Sequence, residues 1–255
     1  MNGAPLPNGT PAPRPLAPVR LPIPAVPPRL TFAFIALNVI VFGAQLLGGW
    51  LLGGDRVLVW GAKLNQAIVA GEYWRLITPI FIHVSLLHLA INCYSLYIIG
   101  PQVEIPFGYA RFLLIYLLSG VAGVVLSFTL SPNPSVGASG AIFGLVGALA
   151  FYLYRHRAAF GQMGRQRFLN LLIIIGINLA IGASAAAIDN WGHLGGLLAG
   201  AILGWQIGPE YDIEKDQTDT PRVADRNPLA GRWLAIAAVT IALVAATALT
   251  ISYQR

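Results

Sequence analysis

Cysteine is almost missing from this sequence. Cys93 is the only one in 255 residues, which excludes a disulfide within the chain and any thiolate-rich metal site. Charge is scarce as well: Asp, Glu, Lys and Arg make up 10% against 56% hydrophobic residues, far from the roughly 25% charged of soluble domains. No internal repeat can be traced, and the two halves carry no matching pair of interrupted helices of the kind that marks many transporters. The first 29 residues hold no acidic group and no apolar run able to form the core of a signal peptide. The basic residues that give the net charge of +6 are spread over several loops instead of forming one patch interleaved with aromatics, so no nucleic-acid partner is expected.

What the chain has instead is long apolar runs. Judged against the ~20 residues of a helical membrane span, they occur at about 30 to 52, 80 to 103, 111 to 130, 139 to 154, 168 to 187, 190 to 207 and 233 to 252. The expected fold is therefore all-α, a polytopic protein of seven membrane helices. Residues 1–29, with ten prolines, read as a disordered or polyproline tail. Residues 30–207 form a six-helix core, 208–232 a flexible acidic linker, and 233–255 an additional helix with a short end. Residues 53–79 carry Trp60, Tyr73 and Trp74 among few charges and suit the headgroup level. With the amino terminus cytoplasmic, 12 of the 16 Lys and Arg fall inside and only Arg56, Lys63, Arg75 and Arg255 outside, in keeping with the positive-inside rule. A tail this rich in Pro is unlike an Arg- and Ser-rich transit leader. The expected place is thus a bacterial inner membrane, with the lipid bilayer as the constant partner.

Ionisable and strongly polar groups inside spans are costly, about 2.5 to 3.5 kcal/mol for a charge at a helix centre by insertion scales. Here they gather in three helices: His83, His88 and Asn92 with the second, Ser139 at the start of the fourth, Asn190 and His193 in the sixth. Serine is a weak nucleophile until a base takes its proton, and histidine titrates in the right range to do so. His88 and Asn92, four apart, share a helical face. They could donate hydrogen bonds to an oxyanion, or simply tie helices together. Ser139 in Gly137-Ala138-Ser139-Gly140 could be a packing residue, but the span it opens is only about 24 Å long at 1.5 Å per residue, which places it below the surface. The preceding 131–137 segment, with two prolines, must line a cavity or be covered by protein. Gly196 and Gly200 let two helices approach closely enough for a hydrogen bond from Ser139 to His193. Asp189 stands near the base in sequence, but is expected to face the outer surface.

These residues together resemble the rhomboid intramembrane serine proteases. The match runs in order through Trp74-Arg75, His83, His88-Leu89-Ala90-Ile91-Asn92, Glu104, Gly137-Ala138-Ser139-Gly140 and Gly192-His193-Leu194-Gly195-Gly196 with Gly200. The resemblance implies that Ser139 is the nucleophile and His193 the general base, and that Asn92 and His88 with the Ser139 amide form the oxyanion hole. His83, Trp74, Arg75 and Glu104 would be structural. Phe143 falls where many relatives carry a tyrosine stacked on the catalytic imidazole. It also implies an intramembrane endopeptidase that cuts transmembrane segments of other proteins with neither metal, cofactor nor ATP. Two rivals are a catalytically dead client-binding protein of the same family and a transporter with a polar path through His88, Asn92 and His193.

Overall fold

A computed structural model describes residues 24–184, 188–215 and 218–255. Most of the Pro-rich tail lies outside the described residues. The protein is a helical bundle whose elements start and stop where local chemistry demands. Helix α1 (Arg29–Leu52) follows Pro28 and ends at Gly53, whose φ of 68° is left-handed. Two short helices follow, α2 (Arg56–Gly61) and α3 (Asn65–Val69), and then two 3₁₀ segments, Tyr73–Leu76 and Thr78–Phe81. The long helices are α4 (Leu86–Phe107), α5 (Tyr109–Leu130), α6 (Ser139–Arg155), α7 (Arg157–Ser184), α8 (Asn190–Ile207) and α9 (Trp233–Gln254).

Five of these, α1, α4, α5, α7 and α9, are long and apolar enough to cross a membrane. The chain is an integral multi-pass membrane protein with an all-α fold. α6 is shorter, at 17 residues, and most of it is buried. It sits at the centre, against α8, α5, α7 and α4. An apolar core fills the space around it, with Phe34 stacked on Tyr116 at 4.3 Å and Leu96, Val103, Phe112, Ile115, Leu145 and Leu203 packed alongside. α6 and α8 meet through glycines: a Cβ on Gly196 would overlap the Gly140 carbonyl, and one on Gly200 the Gly144 carbonyl. Only bare backbone allows that approach.

Three elements differ from expectation. The second span begins at Leu86 and not near residue 80, because Pro79 lies in a 3₁₀ turn and Ser85, with extended backbone, caps α4 by accepting from the His88 N–H at 3.2 Å. The basic stretch from 154 to 167, left between the apolar runs at 139 to 154 and 168 to 187, is mostly helical. α7 begins at Arg157 and bends at Gly161 (φ 55°), since Arg, Ala, Gln and Met are good helix formers. Their polarity marks where the apolar run ends and not where the helix does. The stretch expected as a flexible linker carries an antiparallel hairpin, β1 (Tyr211–Lys215) paired with β2 (Pro221–Asp225).

Arg111, nearly buried at the start of α5, holds the hairpin in place. Its guanidinium donates to Asp225 at 2.6 Å and to the Asn227 carbonyl at 2.6 Å. Tyr211 donates to the Pro106 carbonyl at 2.7 Å, Asn227 donates to the Gly208 carbonyl at 2.7 Å, and Arg155 pairs with Glu210. Burial pushes the Asp225 carboxyl up, but the N–H groups of Glu210 and Asn227 and the Arg111 guanidinium outweigh it and hold the group below its ordinary value. At its other end α9 leans on α5: Thr129 and Thr250 share a hydrogen bond at 2.9 Å, and Gln254 donates to the Phe128 carbonyl at 3.1 Å.

Gly200→Ala is expected to lower stability by about 1 to 3 kcal/mol through overpacking, whereas Gly176→Ala on the open face of α7, where a Cβ meets nothing within 4 Å, should be neutral or stabilising. Thermal unfolding of the two variants in the same detergent checks this. Because the Asp225 pKa is lowered on folding, its contribution is present above the ordinary carboxylate value and lost as pH falls through the lower, folded value. An acid unfolding curve should therefore flatten in Asp225→Asn.

Candidate active site

Ser139 is the first residue of α6. The chain reaches it through a loop, residues 131–138, fixed at several points. The Gly137 N–H donates to the Pro79 carbonyl at 2.9 Å, and Ala138 is fully buried. Gly137 has a φ of 127°, and a Cβ there would lie 2.8 Å from the His88 ring and 3.7 Å from Ser139 Oγ. Only glycine combines that backbone with that proximity. Ala138 at the N-cap of α6 has no side chain that could cap the first turn, so among the described residues its leading amides keep the positive dipole end unfilled.

His193 stands in the first turn of α8. The Asp189 carboxylate caps this helix by accepting from the Gly192 N–H at 2.9 Å, and the Asp189 carbonyl accepts from the His193 N–H at 3.0 Å. Across the glycine-faced contact, His193 Nε2 and Ser139 Oγ are 2.9 Å apart. The Phe143 ring, one turn along α6 from Ser139, lies parallel to the imidazole, with centroids 4.4 Å apart and an interplanar angle of 10°. Among the described residues, His193 Nδ1 has no hydrogen-bond partner. Asp189 is thus engaged with the helix terminus instead of the imidazole, and the ring is oriented by the serine on one side and the phenyl face on the other.

His88 borders the same space through Gly137, and its ring meets that of His83 edge-on at 5.1 Å. Asn92 is buried one turn further along α4, where its amide donates back to the His88 carbonyl at 3.0 Å. The structure thus brings Ser139, His193, Phe143 and His88 around one point, while the Asn92 amide is turned to its own helix. His83 is pinned by its backbone, with its N–H and carbonyl both bonded to Gln45. Trp74 stacks on Trp60 at 5.4 Å and donates to its carbonyl. Arg75 binds the Val59 and Ala62 carbonyls at 2.9 and 2.8 Å and pairs with Glu72. The buried Glu104 carboxylate accepts from the Leu30 and Thr31 N–H groups and the Thr31 hydroxyl at 2.6 to 2.8 Å, which seats the start of α1. Among the described residues, no group of three or more His, Cys, Asp or Glu is placed to hold a metal ion.

Two contributors carry no motif in the sequence. Gln45 reads as one polar residue in a lipid-length run, yet it links α1 to Asp55 and to His83. Lys63 reads as a loop lysine, yet it is fully buried, with Nζ donating to the Ser131 and Asn133 carbonyls at 2.9 and 2.7 Å. Burial holds its ammonium down to about 8, partly offset by attraction to Asp189. The one available signal was its position among apolar neighbours in a segment that otherwise holds few charges.

A family model described as the rhomboid domain matches residues 70–210. Among curated proteins the chain is similar to the rhomboid protease GluP of Bacillus subtilis (strain 168), at 42% identity over 181 residues, 71% of this chain and 35% of that protein. It is also similar to two proteins of Arabidopsis thaliana. One is RHOMBOID-like protein 6, mitochondrial, at 41% identity, covering 55% of this chain and 46% of the relative; the other is RHOMBOID-like protein 2, at 36% identity, covering 68% and 55%. The chain therefore spans between about a third and just over half of the length of these relatives.

Removing the ring that lies on His193 should be felt at Ser139. Phe143→Ala is expected to slow fluorophosphonate labelling of Ser139 about tenfold, and Phe143→Tyr to retain it, as read by the rate of adduct formation in detergent.

Proposed function

This chain belongs to the rhomboid family, and from that premise we propose that it is an intramembrane serine endopeptidase that cuts transmembrane segments of other membrane proteins. The observation that carries the proposal is the 2.9 Å contact between Ser139 Oγ and His193 Nε2 beneath the Phe143 ring. A hydroxyl and an imidazole at that distance form a nucleophile and its base.

A substrate helix lends a locally unwound stretch to the space beside Gly137. His193 takes the Ser139 proton as Oγ bonds to the carbonyl carbon, and the carbonyl oxygen becomes an oxyanion. The uncapped first-turn amides of α6 and the His88 ring supply hydrogen bonds and positive potential there. Asn92 joins them when its amide leaves the His88 carbonyl. The C–N bond then breaks as His193 returns the proton to the leaving amine. Water, deprotonated by the same imidazole, attacks the acyl-enzyme and frees Ser139. The Asp189 carboxylate is engaged in capping α8, so orientation of the imidazole rests on its contact with Ser139 and on stacking.

The amino terminus is cytoplasmic in this proposal, in a bacterial inner membrane. Arg111, Arg155 and the basic start of α7 then lie on the inner side, and the entrances of α6 and α8 face outward. Released domains leave on the extracytoplasmic side.

Purified protein in liposomes should cleave a fluorogenic transmembrane substrate. Ser139→Ala and His193→Ala should abolish turnover, and Asn92→Ala should leave a residue of activity, with loss of about 10² to 10³ in kcat as for one oxyanion donor. Turnover at the wild-type rate in Ser139→Ala would overturn the assignment. Absence of both cleavage and fluorophosphonate labelling in the wild type would favour a client-binding protein that does not cut.

A further inference from the structure

The chain has only two lysines, Lys63 and Lys215, beside fourteen arginines. They have opposite surroundings: Lys215 is exposed on the hairpin beside Asp219, and Lys63 is completely buried. A buried ammonium is expensive unless its protons find acceptors, and Lys63 finds two, both backbone carbonyls of the loop that leads to Ser139. Its own backbone does the same. The Lys63 N–H donates to the Ser135 carbonyl at 3.0 Å and the Ser135 N–H to the Lys63 carbonyl at 3.2 Å, an isolated antiparallel bridge.

One residue thus holds three successive points of the loop, at Ser131, Asn133 and Ser135. Asn65, two residues on, adds a bond to the Ser131 carbonyl and another to that of Phe128, each at 3.1 Å. The far end of the loop is held by the Gly137 bond to Pro79. Between Ser135 and Ser139 there is little slack, since Gly137 lies against the His88 ring and Ala138 is fully buried. A compact ammonium fits between two carbonyls separated by one residue, where the planar fork of arginine is shaped for carboxylates and phosphates instead.

We propose that Lys63 is a positioning residue for the proposed proteolysis, fastening the 131–138 loop so that Ser139 meets His193 and Gly137 stays against His88. This rests on the protease reading above. Lys63 touches neither the dyad nor the space beside it; its effect passes through the loop backbone.

Two readouts test this, one of them independent of catalysis. In Lys63→Met, hydrogen exchange of the amides in 131–139 should rise at least tenfold while α1 and α8 remain protected. Cleavage should lose at least tenfold in kcat with KM changed less than twofold, because the substrate's docking surface is untouched. Lys63→Ala should behave alike, and added propylammonium should restore both protection and kcat in a saturable way. Lys63→Met should not respond, and Lys215→Met should match the wild type. Unchanged exchange in 131–139 would overturn the proposal, and so would full kcat despite faster exchange. If Lys63→Met fails to fold, the response of Lys63→Ala to propylammonium decides. A wild type that neither cleaves nor labels would defeat the protease reading alone, and the exchange result would still judge the tether.

Discussion

Everything at the candidate site depends on two helices whose backbones touch. α6 and α8 approach so closely that a methyl group on Gly196 or Gly200 would collide with carbonyls of the facing helix, and only at that separation do side chains as short as serine and histidine meet across the gap. Lipid offers little hydrophobic drive for helices to associate, so close dispersion contact must supply it. The cost is that neither helix has much side-chain surface to spare: α6 is only 17 residues long and α8 carries five glycines. The longer helices α4, α5 and α7 pack against this central pair, with α1 on α4 and α9 on α5 further out.

The polar network divides by the ends of the bundle. Where α6 and α8 begin, the contacts run between loops: Arg75 to carbonyls near Trp60, Lys63 to the 131–138 loop, Gln45 to His83. At the opposite end the hairpin gathers Arg111, Tyr211, Asn227 and Glu210. Most acceptors at both ends are main-chain carbonyls. A charged side chain that satisfies an orphan carbonyl removes a penalty that lipid or protein interior would otherwise impose. This explains how a chain with so few charges keeps several of them buried.

The seven apolar runs were readable because lipid thickness imposes a length on them, and each long helix lies close to its run. The contact between Ser139 and His193 was readable because each stands among glycines at the head of a run. Boundaries were less so. Apolarity reports burial in lipid and says nothing about helix beyond it, which is why Arg157 to Arg167 looked like a loop, and why Ile80 to Ile82 looked like helix although Pro79 and Ser85 rule otherwise. Asp189 illustrates a different gap. Four residues before a histidine, an aspartate suits both a triad and a helix cap, and only the 2.9 Å bond to Gly192 separates the two. Lys63, Gln45 and the hairpin were invisible because their partners are backbone atoms or lie far along the chain. The acidic stretch looked like a flexible linker because Arg111, 114 residues from Asp225, gave no sign that it needed a partner.

That separation bears on how the molecule is made. Arg111 is made at the head of α5 while Asp225 and Asn227 have yet to be synthesised, so at first only the Phe107 carbonyl, at 3.5 Å, is at hand and its two short bonds must wait. Those partners arrive at the end of the hairpin, a few residues before α9 begins at Trp233. The short bonds of Arg111 thus close only once the chain beyond α8 has been made, and a chain ending after α8 would keep its helices but leave this arginine without its two nearest acceptors.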